Sequence, residues 1–470
     1  MRFRRTAALS AVLTAVLVLP QPASAAAQLI QNGAFTTSTS PWAAIGQTTV
    51  TAEAERMRVD VKAVVANPWD AMVAAPTTAA LNPGKSYTLS FDAYSTLAYR
   101  ARTTVQYTAT PSSNQSLSAD VQLTTGSRRY SIPFVAATAT TSTAAEVTFQ
   151  LGGSGGTPVV RFDNVSLMET QTTRPTALFV YNQSNPARWA DQNSGTTADA
   201  IRAGIANKPI FEWFGGWFGD LTLAVDRYVG AAQAADRLPM LVAYNIPNRD
   251  ACATQSNGGA ADAAAYHNWI TEFAKAIGSR HAIVVLEPDA VAAAGCLVKI
   301  GKDPEEQYRI LADATQVLRD QAPNAWVYLD AGNATWIKAA DMAPLLVKSG
   351  IATTRGFSLN VSNYITTADS ETYAVAVNSH LSGTVGAKKY VIDTSRNGNG
   401  PYVDSTPEDN WCNPPKRKLG TAPTRPASGA EFLLWVKVPG DSDGACGIGG
   451  TTPAGTFSPT LALALINGSP

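Results

Sequence analysis

The chain has 470 residues, sets 36 Lys and Arg against 36 Asp and Glu, and is only 15% charged. Nucleic acid and acidic membrane surfaces both demand a basic face, so neither is an expected partner; low charge is the ordinary mark of a neutral, polar surface, and a neutral polymer would also fit. The length accommodates two domains or more.

The first residues read as an export signal. MRFRR is cationic, TAALSAVLTAVLVLP is apolar, and Ala23-Ser24-Ala25 is a small-residue cleavage site. The apolar run is short for a bilayer, and no later run approaches the roughly 20 apolar residues of a spanning helix. Residues 1–25 are therefore expected to be a signal peptide on a soluble, secreted, extracellular protein.

Residues 28–170 read as all-β. Alternating runs recur in SYTLSFDAYS, ARTTVQYTAT, RRYSIPFVAA, AAEVTFQLGG and VVRFDNVSLME, punctuated by Gly, Pro, Asn and Ser. That pattern predicts a sandwich or jelly roll. No carboxylate cluster in this region has a catalytic look. A polar stretch ending at Thr176 makes 171–176 a short linker.

From 177 to 470 the pattern changes. Strand-like runs (ALFVYN, PIFEWFG, LPMLVAYNIP, AIVVLEPDA, AWVYLDAG, RGFSLNVSNY, KKYVIDTSR, EFLLWVKVPG) alternate with amphipathic helical ones such as residues 221–237, 262–280 and 304–322. Repeated βα units predict a parallel sheet, and this many predict a closed or nearly closed α/β barrel. Polar residues then recur where strands end: Tyr244 and Asp250, Asp289, Asp330, Asn360 and Asn363, Arg396, Lys437 and Asp443. Such ends converge on one mouth of a barrel, where these folds place their sites.

Four cysteines, Cys252, Cys296, Cys412 and Cys446, predict two disulfides in an exported chain, with three pairings open. No CxxC spacing supports a zinc site. His267, His281 and His380 are scattered and read as structural. No metal and no cofactor is expected.

The carboxylates carry the chemistry. Hydrolysis of a glycosidic bond needs one protonated acid for the leaving oxygen and a carboxylate that activates water or attacks the sugar. The acid's pKa must be raised by burial or by a neighbouring like charge. Asp289, after an apolar strand and near another strand-end acid, meets that need; Glu287 reads as structural, paired with Arg or a backbone amide. Trp336 and Trp411 are suited to stack on pyranose faces.

Over 177–470 the ordered series YNIPNRD, LEPD, YLDAGNATW, NVSNY, IDTSRNGNGP, NWCNPP and WVKVPGDSDG resembles glycoside hydrolase family 6, the inverting cellulases. The resemblance implies a distorted α/β barrel and a role for each matching residue. Asp289 would be the general acid. Asp250 would raise its pKa and relay a proton from water. Asp443 would be the base, with a water chain toward Asp250 as the rival assignment. Tyr244 would distort the sugar, and Ser256 would hold the water. Asp330, Trp336, Asn360, Trp411 and Lys437 would bind sugar. It also implies the pairings Cys252–Cys296 and Cys412–Cys446. Asn333 stands where the family has His, and Trp213 and Trp217 make FEWFGGWFGD unusually aromatic. The short spacing from Asp443 to Cys446 implies an open cleft and internal cleavage.

Residues 28–170 resemble carbohydrate-binding modules of the family 4/9 type, with Trp69, Tyr94, Tyr99 and Tyr107 as candidate glycan contacts. No ligand set for a structural calcium is legible. The whole predicts a monomeric, secreted, inverting β-1,4-glucanase acting on a β-glucan polysaccharide. The competing readings are a chain-end cellobiohydrolase, a hydrolase of mixed-linkage glucan or xyloglucan, and a non-catalytic glycan-binding protein.

Overall fold

Alternation in the N-terminal third becomes ten antiparallel strands in a computed structural model that describes residues 28–107, 115–137, 145–170, 173–251, 255–403 and 410–469. The proposed signal peptide and Cys252 lie outside the described residues. The strands are β1 (Ala43–Gly46), β2 (Thr48–Glu53), β3 (Arg56–Val61), β4 (Ala71–Pro76), β5 (Ser86–Ser95), β6 (Tyr99–Tyr107), β7 (Gln115–Leu123), β8 (Arg128–Val135), β9 (Ala145–Gln150) and β10 (Val159–Glu169). They form two five-stranded sheets, ordered β1-β4-β9-β6-β7 and β2-β3-β10-β5-β8. Every second residue faces the partner sheet. The result is an aromatic core in which Phe149 stacks on Trp42 at 5.5 Å and on Phe162 at 4.1 Å.

The link to the second domain is pinned. Arg174 lies over the Trp326 ring at 3.8 Å and donates to the carbonyls of Ala282 and Asn324. Arg355 lies over the same ring, also at 3.8 Å.

The second domain begins with α1 (Asn185–Gln192) and α2 (Thr196–Ile201) and then alternates. Its elements are β11 (Glu212–Phe214), α3 (Leu221–Ala234), β12 (Met240–Ala243), α4 (Ala263–Ile277), β13 (Ala282–Leu286), α5 (Ala290–Ala293), α6 (Pro304–Gln321), β14 (Ala325–Asp330), α7 (Ala339–Lys348), β15 (Gly356–Leu359), α8 (Thr367–Leu381), β16 (Lys389–Asp393), β17 (Phe432–Leu434) and α9 (Pro459–Asn467). Helix starts are written in the sequence. Asp220, Asp262, Asp303 and Thr366 each accept a backbone N–H in the first turn of α3, α4, α6 and α8, and Pro304 opens α6. β12 and β13 are buried at every residue, as parallel strands covered on both faces must be.

The seven strands run parallel in sequence order. The run ALFVYN, expected as an eighth, makes only an isolated bridge from Leu178 to Leu238. The sheet is therefore a curled half-barrel. Its open seam between β17 and β11 is spanned by Phe211 N–H to the Trp435 carbonyl (3.1 Å) and Trp213 Nε1 to the Val436 carbonyl (2.8 Å). Met240, Val242, Tyr328, Val391 and Leu434 fill its inside, while Leu241, Val284, Leu329 and Phe357 pack under the helices. Among the described residues no helix is long and apolar enough to cross a membrane.

Candidate active site

The strands' C-terminal ends open into a cleft of about 1630 Å³. Tyr244, Asp250, Ser256, Asp289, Trp336, Trp411, Lys437 and Asp443 all line it. Eight of the ten residues singled out from sequence for catalysis or sugar binding thus share one cavity.

β13 leaves the core through Glu287 and Asp289, both with left-handed backbone (φ 48° and 71°). The two acids nevertheless end in different places. Glu287 is fully buried and accepts from Asn245 N–H (2.9 Å), Ile246 N–H (3.1 Å) and the Tyr266 hydroxyl (2.9 Å). It is the backbone-amide anchor expected of it, and burial lifts its pKa to about 7. Asp289 is partly exposed to the cleft. Burial raises its carboxyl well above the usual range, and the negative charges of Asp330, Asp250 and Asp443 push the same way against Lys437.

Asp330 departs from the sugar contact expected of it. It is fully buried, and its oxygens accept from Asp289 N–H (2.9 Å), Gly332 N–H (3.0 Å) and the Ser358 hydroxyl (2.9 Å). Asn360 departs likewise. It is fully buried, with its amide bonded to the carbonyls of Asp393 (2.8 Å) and Ile365 (3.1 Å) and its oxygen accepting from Ile365 N–H. Both brace the loops beneath the cleft.

On the loop after β12, Asp250 accepts from Ser256 twice, from N–H at 2.7 Å and from the hydroxyl at 3.1 Å. The Ser256 hydroxyl also lies 3.2 Å from the Tyr244 hydroxyl. Arg249 stacks over the Tyr244 ring at 4.4 Å and donates to the Tyr244 carbonyl (2.8 Å) and the Ser256 carbonyl (3.0 Å). Burial, with Asp289 nearby, pushes the Tyr244 hydroxyl above its ordinary value, so it stays a neutral donor.

Asp443 sits opposite in a cationic nest. It contacts Arg396 at 2.7 Å and Lys437 at 3.1 Å, and accepts from Asn413 N–H at 3.1 Å. Burial would raise its carboxyl, but Arg396 and Lys437 outweigh that and hold it at about 2. The Cys412–Cys446 disulfide closes this side, as the resemblance implied. Cys296 is also disulfide-bonded.

Sequence reading missed several contributors. Asp393, buried at the end of β16, accepts the N–H of Ser362, Ser395 and Lys437 and so organises three loops. Glu212 and Asp441 also line the cleft, and burial lifts each to about 7. Glu212 was hidden in an aromatic run, and Asp441 was overshadowed by Asp443 two residues on. Among the described residues no group of three His, Cys, Asp or Glu side chains is placed to hold a metal ion.

In the sandwich, Tyr99 and Tyr107 are core residues, 3% and 1% exposed, and so are not surface glycan contacts. Tyr94 lies on β5 beneath Arg161 (5.6 Å), and Trp69 is exposed. The other face of β6 and β9 carries a polar ladder that is itself buried. The hydroxyls of Thr104 and Thr148 meet at 2.7 Å, and Gln106 donates to Glu146 at 2.9 Å.

The family model described as glycosyl hydrolases family 6 matches residues 175–469, and that of a carbohydrate binding domain matches 27–158. A protein named Endoglucanase 1 from Streptomyces halstedii is 48% identical over 299 residues, 63% of this chain and 90% of that one. A second Endoglucanase 1, from Streptomyces sp. (strain KSM-9), is 41% identical over 60% of this chain and 75% of that one. The solved structure of the endoglucanase Cel6 from Mycobacterium tuberculosis, in complex with a thio-cellobioside, aligns with a TM-score of 0.57 at 38% identity. It covers 63% of this chain and 99% of that one.

Proposed function

The chain belongs to glycosyl hydrolases family 6 and is a glycoside hydrolase, and from that premise we propose that it cuts internal β-1,4 bonds of cellulose or a related β-glucan with inversion. The observation that carries the reading is the split between two cleft carboxyls. Asp289 is raised well above the usual range, and Asp443 is held at about 2. One group keeps a proton to give to the leaving oxygen while the other stays charged beside the sugar that gains positive character.

A carboxylate at about 2, tied to two cations, is a weak base. We therefore assign Asp443 to electrostatic stabilisation. Asp250, with the Ser256 hydroxyl, takes the part of orienting the water and accepting its proton. Tyr244 presses on the sugar at the cleavage point, and Trp336, Trp411 and Lys437 grip the chain. Asp330 and Asn360 position the loops and touch no sugar. The names of both Streptomyces relatives support internal cutting.

The sandwich serves as the polysaccharide-binding module, with the exposed Trp69 ring as its candidate glycan contact. Export is supported by the N-terminal pattern and by the Cys412–Cys446 disulfide.

The test is Asp289→Ala assayed on soluble carboxymethyl cellulose. Loss of a general acid is expected to lower kcat by about 10²–10⁴-fold with the thermal midpoint unchanged. Retained turnover refutes the assignment. Viscosity falling faster than reducing ends appear in the parent enzyme marks internal cutting.

A further inference from the structure

We propose that the binding module is a working part of the cleft wall. Its edge strand β8 fixes the loop from Gly215 to Asp220, and with it the Trp217 ring that faces the glycan. The inference rests on the reading of the cleft as a β-glucan site.

The loop's hold within its own domain comes from side chains: Phe218 stacks on Phe214 at 5.4 Å and Arg249 lies over the Trp217 ring at 5.6 Å. Three of the five residues between β11 and Asp220 are glycine (Gly215, Gly216 and Gly219), which leaves the backbone many conformations to lose. Yet this loop carries aromatic wall. Trp217, 54% exposed, and Phe218 line the cleft. The Trp217 ring lies against Gly215 so closely that a Cβ there would come within 2.2 Å of it.

One end of the loop is fixed by β11. The other is Asp220, whose two oxygens serve different domains. Oδ1 accepts Leu223 N–H at 2.8 Å and caps α3; Oδ2 accepts the N–H of Arg129 at 2.9 Å. Arg129 lies on β8, the outermost strand of its sheet, where an N–H lacks a strand partner. A single carboxylate thus joins a helix cap to the module's edge, three residues from Trp217.

Behind this contact the domains are locked by buried charge. Asp226 on α3, 2% exposed, takes Arg129 Nε at 2.8 Å from the module and Arg280 at 2.9 Å from its own domain. The Ser131 hydroxyl adds a third contact at 3.0 Å. Arg129 reaches back to the Asn164 carbonyl (2.8 Å) and the Ser90 hydroxyl (2.9 Å), so its guanidinium is satisfied only in the docked arrangement. Buried ions of this kind are costly to leave unpaired, which opposes swivelling. Arg174 stacked on Trp326 restrains the linker as well. Force on the module is therefore felt at Asp220 rather than absorbed by a tether.

The test uses the full chain with cellohexaose as substrate. Arg129→Met keeps the main chain and removes the lock; Trp217→Ala removes the ring. Each is expected to raise KM about 2- to 10-fold, the scale of one lost polar or stacking contact, with kcat within twofold. The double variant is expected to be no worse than the worse single, because the two act on one element. An unchanged KM in folded Arg129→Met, or additive effects in the double, overturns the proposal. Should Arg129→Met fail to fold, Ser131→Ala takes its place: a smaller rise in KM supports the proposal and none overturns it. No turnover by the parent enzyme would instead sink the reading of the cleft, whereas parent turnover with an unmoved KM in the variants sinks only this inference.

Discussion

The two flanks of the cleft handle the same problem in opposite ways. At the β13 exit and in the loop after β17, a carboxyl is withdrawn from water, and burial lifts both. On the first flank Asp289 has three acids around it, with Lys437 as the opposing charge, and its carboxyl is raised well above the usual range. On the second, Asp443 touches two cations and is ionised down to about 2. Burial alone therefore does not set protonation here. The sign of the neighbours does, and it makes an acid and a fixed negative charge from identical side chains.

The contrast breaks most severely at Arg396. Arg396→Met strands a buried carboxylate and is expected to cost about 3–5 kcal/mol in denaturant unfolding. Adding Asp443→Asn should return much of that loss. Failure of the second change to rescue would mean that the pair does not carry the nest.

A smaller effect follows from pH. Asp443 sits near 2 when folded against about 3.9 when unfolded, so its contribution, about 2.6 kcal/mol, is present above pH 3.9. It fades as pH falls toward 2, an acid limb that Asp443→Asn should flatten in thermal scans. Activity runs the other way: kcat falls as pH rises through the elevated pKa of Asp289, because the acid loses its proton. Lys437 opposes that elevation. Lys437→Met is therefore expected to move the alkaline limb upward, and a downward move would contradict the geometry. The gentlest test is Tyr244→Phe, which deletes one hydroxyl contact to Ser256 and should alter kcat/KM by about 2- to 10-fold.

Much of this was legible in residue order. An apolar strand that breaks into Glu287-Pro288-Asp289 announces two acids with different duties, and the motif series placed Tyr244, Asp250 and Asp443 on one rim. Direction was less legible than position. Asp330 shares its strand face with Tyr328, which fills the barrel, so its carboxylate turns under the Asp289 loop rather than into the cleft. A strand end recognised in sequence does not say which way its last side chain points. ALFVYN has strand composition, yet only Leu178 finds a bridge partner. β1 to β4 escaped notice because they run only four to six residues, and β1, exposed throughout, and β4, mostly buried, do not alternate. The lock at Asp226 was invisible for another reason. An acid on an amphipathic helix reads as solvated surface, and Arg129 stands 97 residues away.

The disulfide between Cys412 and Cys446 joins the segment bearing Trp411 to the one bearing Asp443. Asn413, next to Cys412, donates to Asp443 from its main chain and to the Gly444 carbonyl from its side chain. One sulfur–sulfur bond thus holds together the proposed sugar platform and the proposed catalytic charge. Thiol reductants should accordingly quench turnover before they melt the barrel, so that the catalyst reports on the oxidising state of its surroundings.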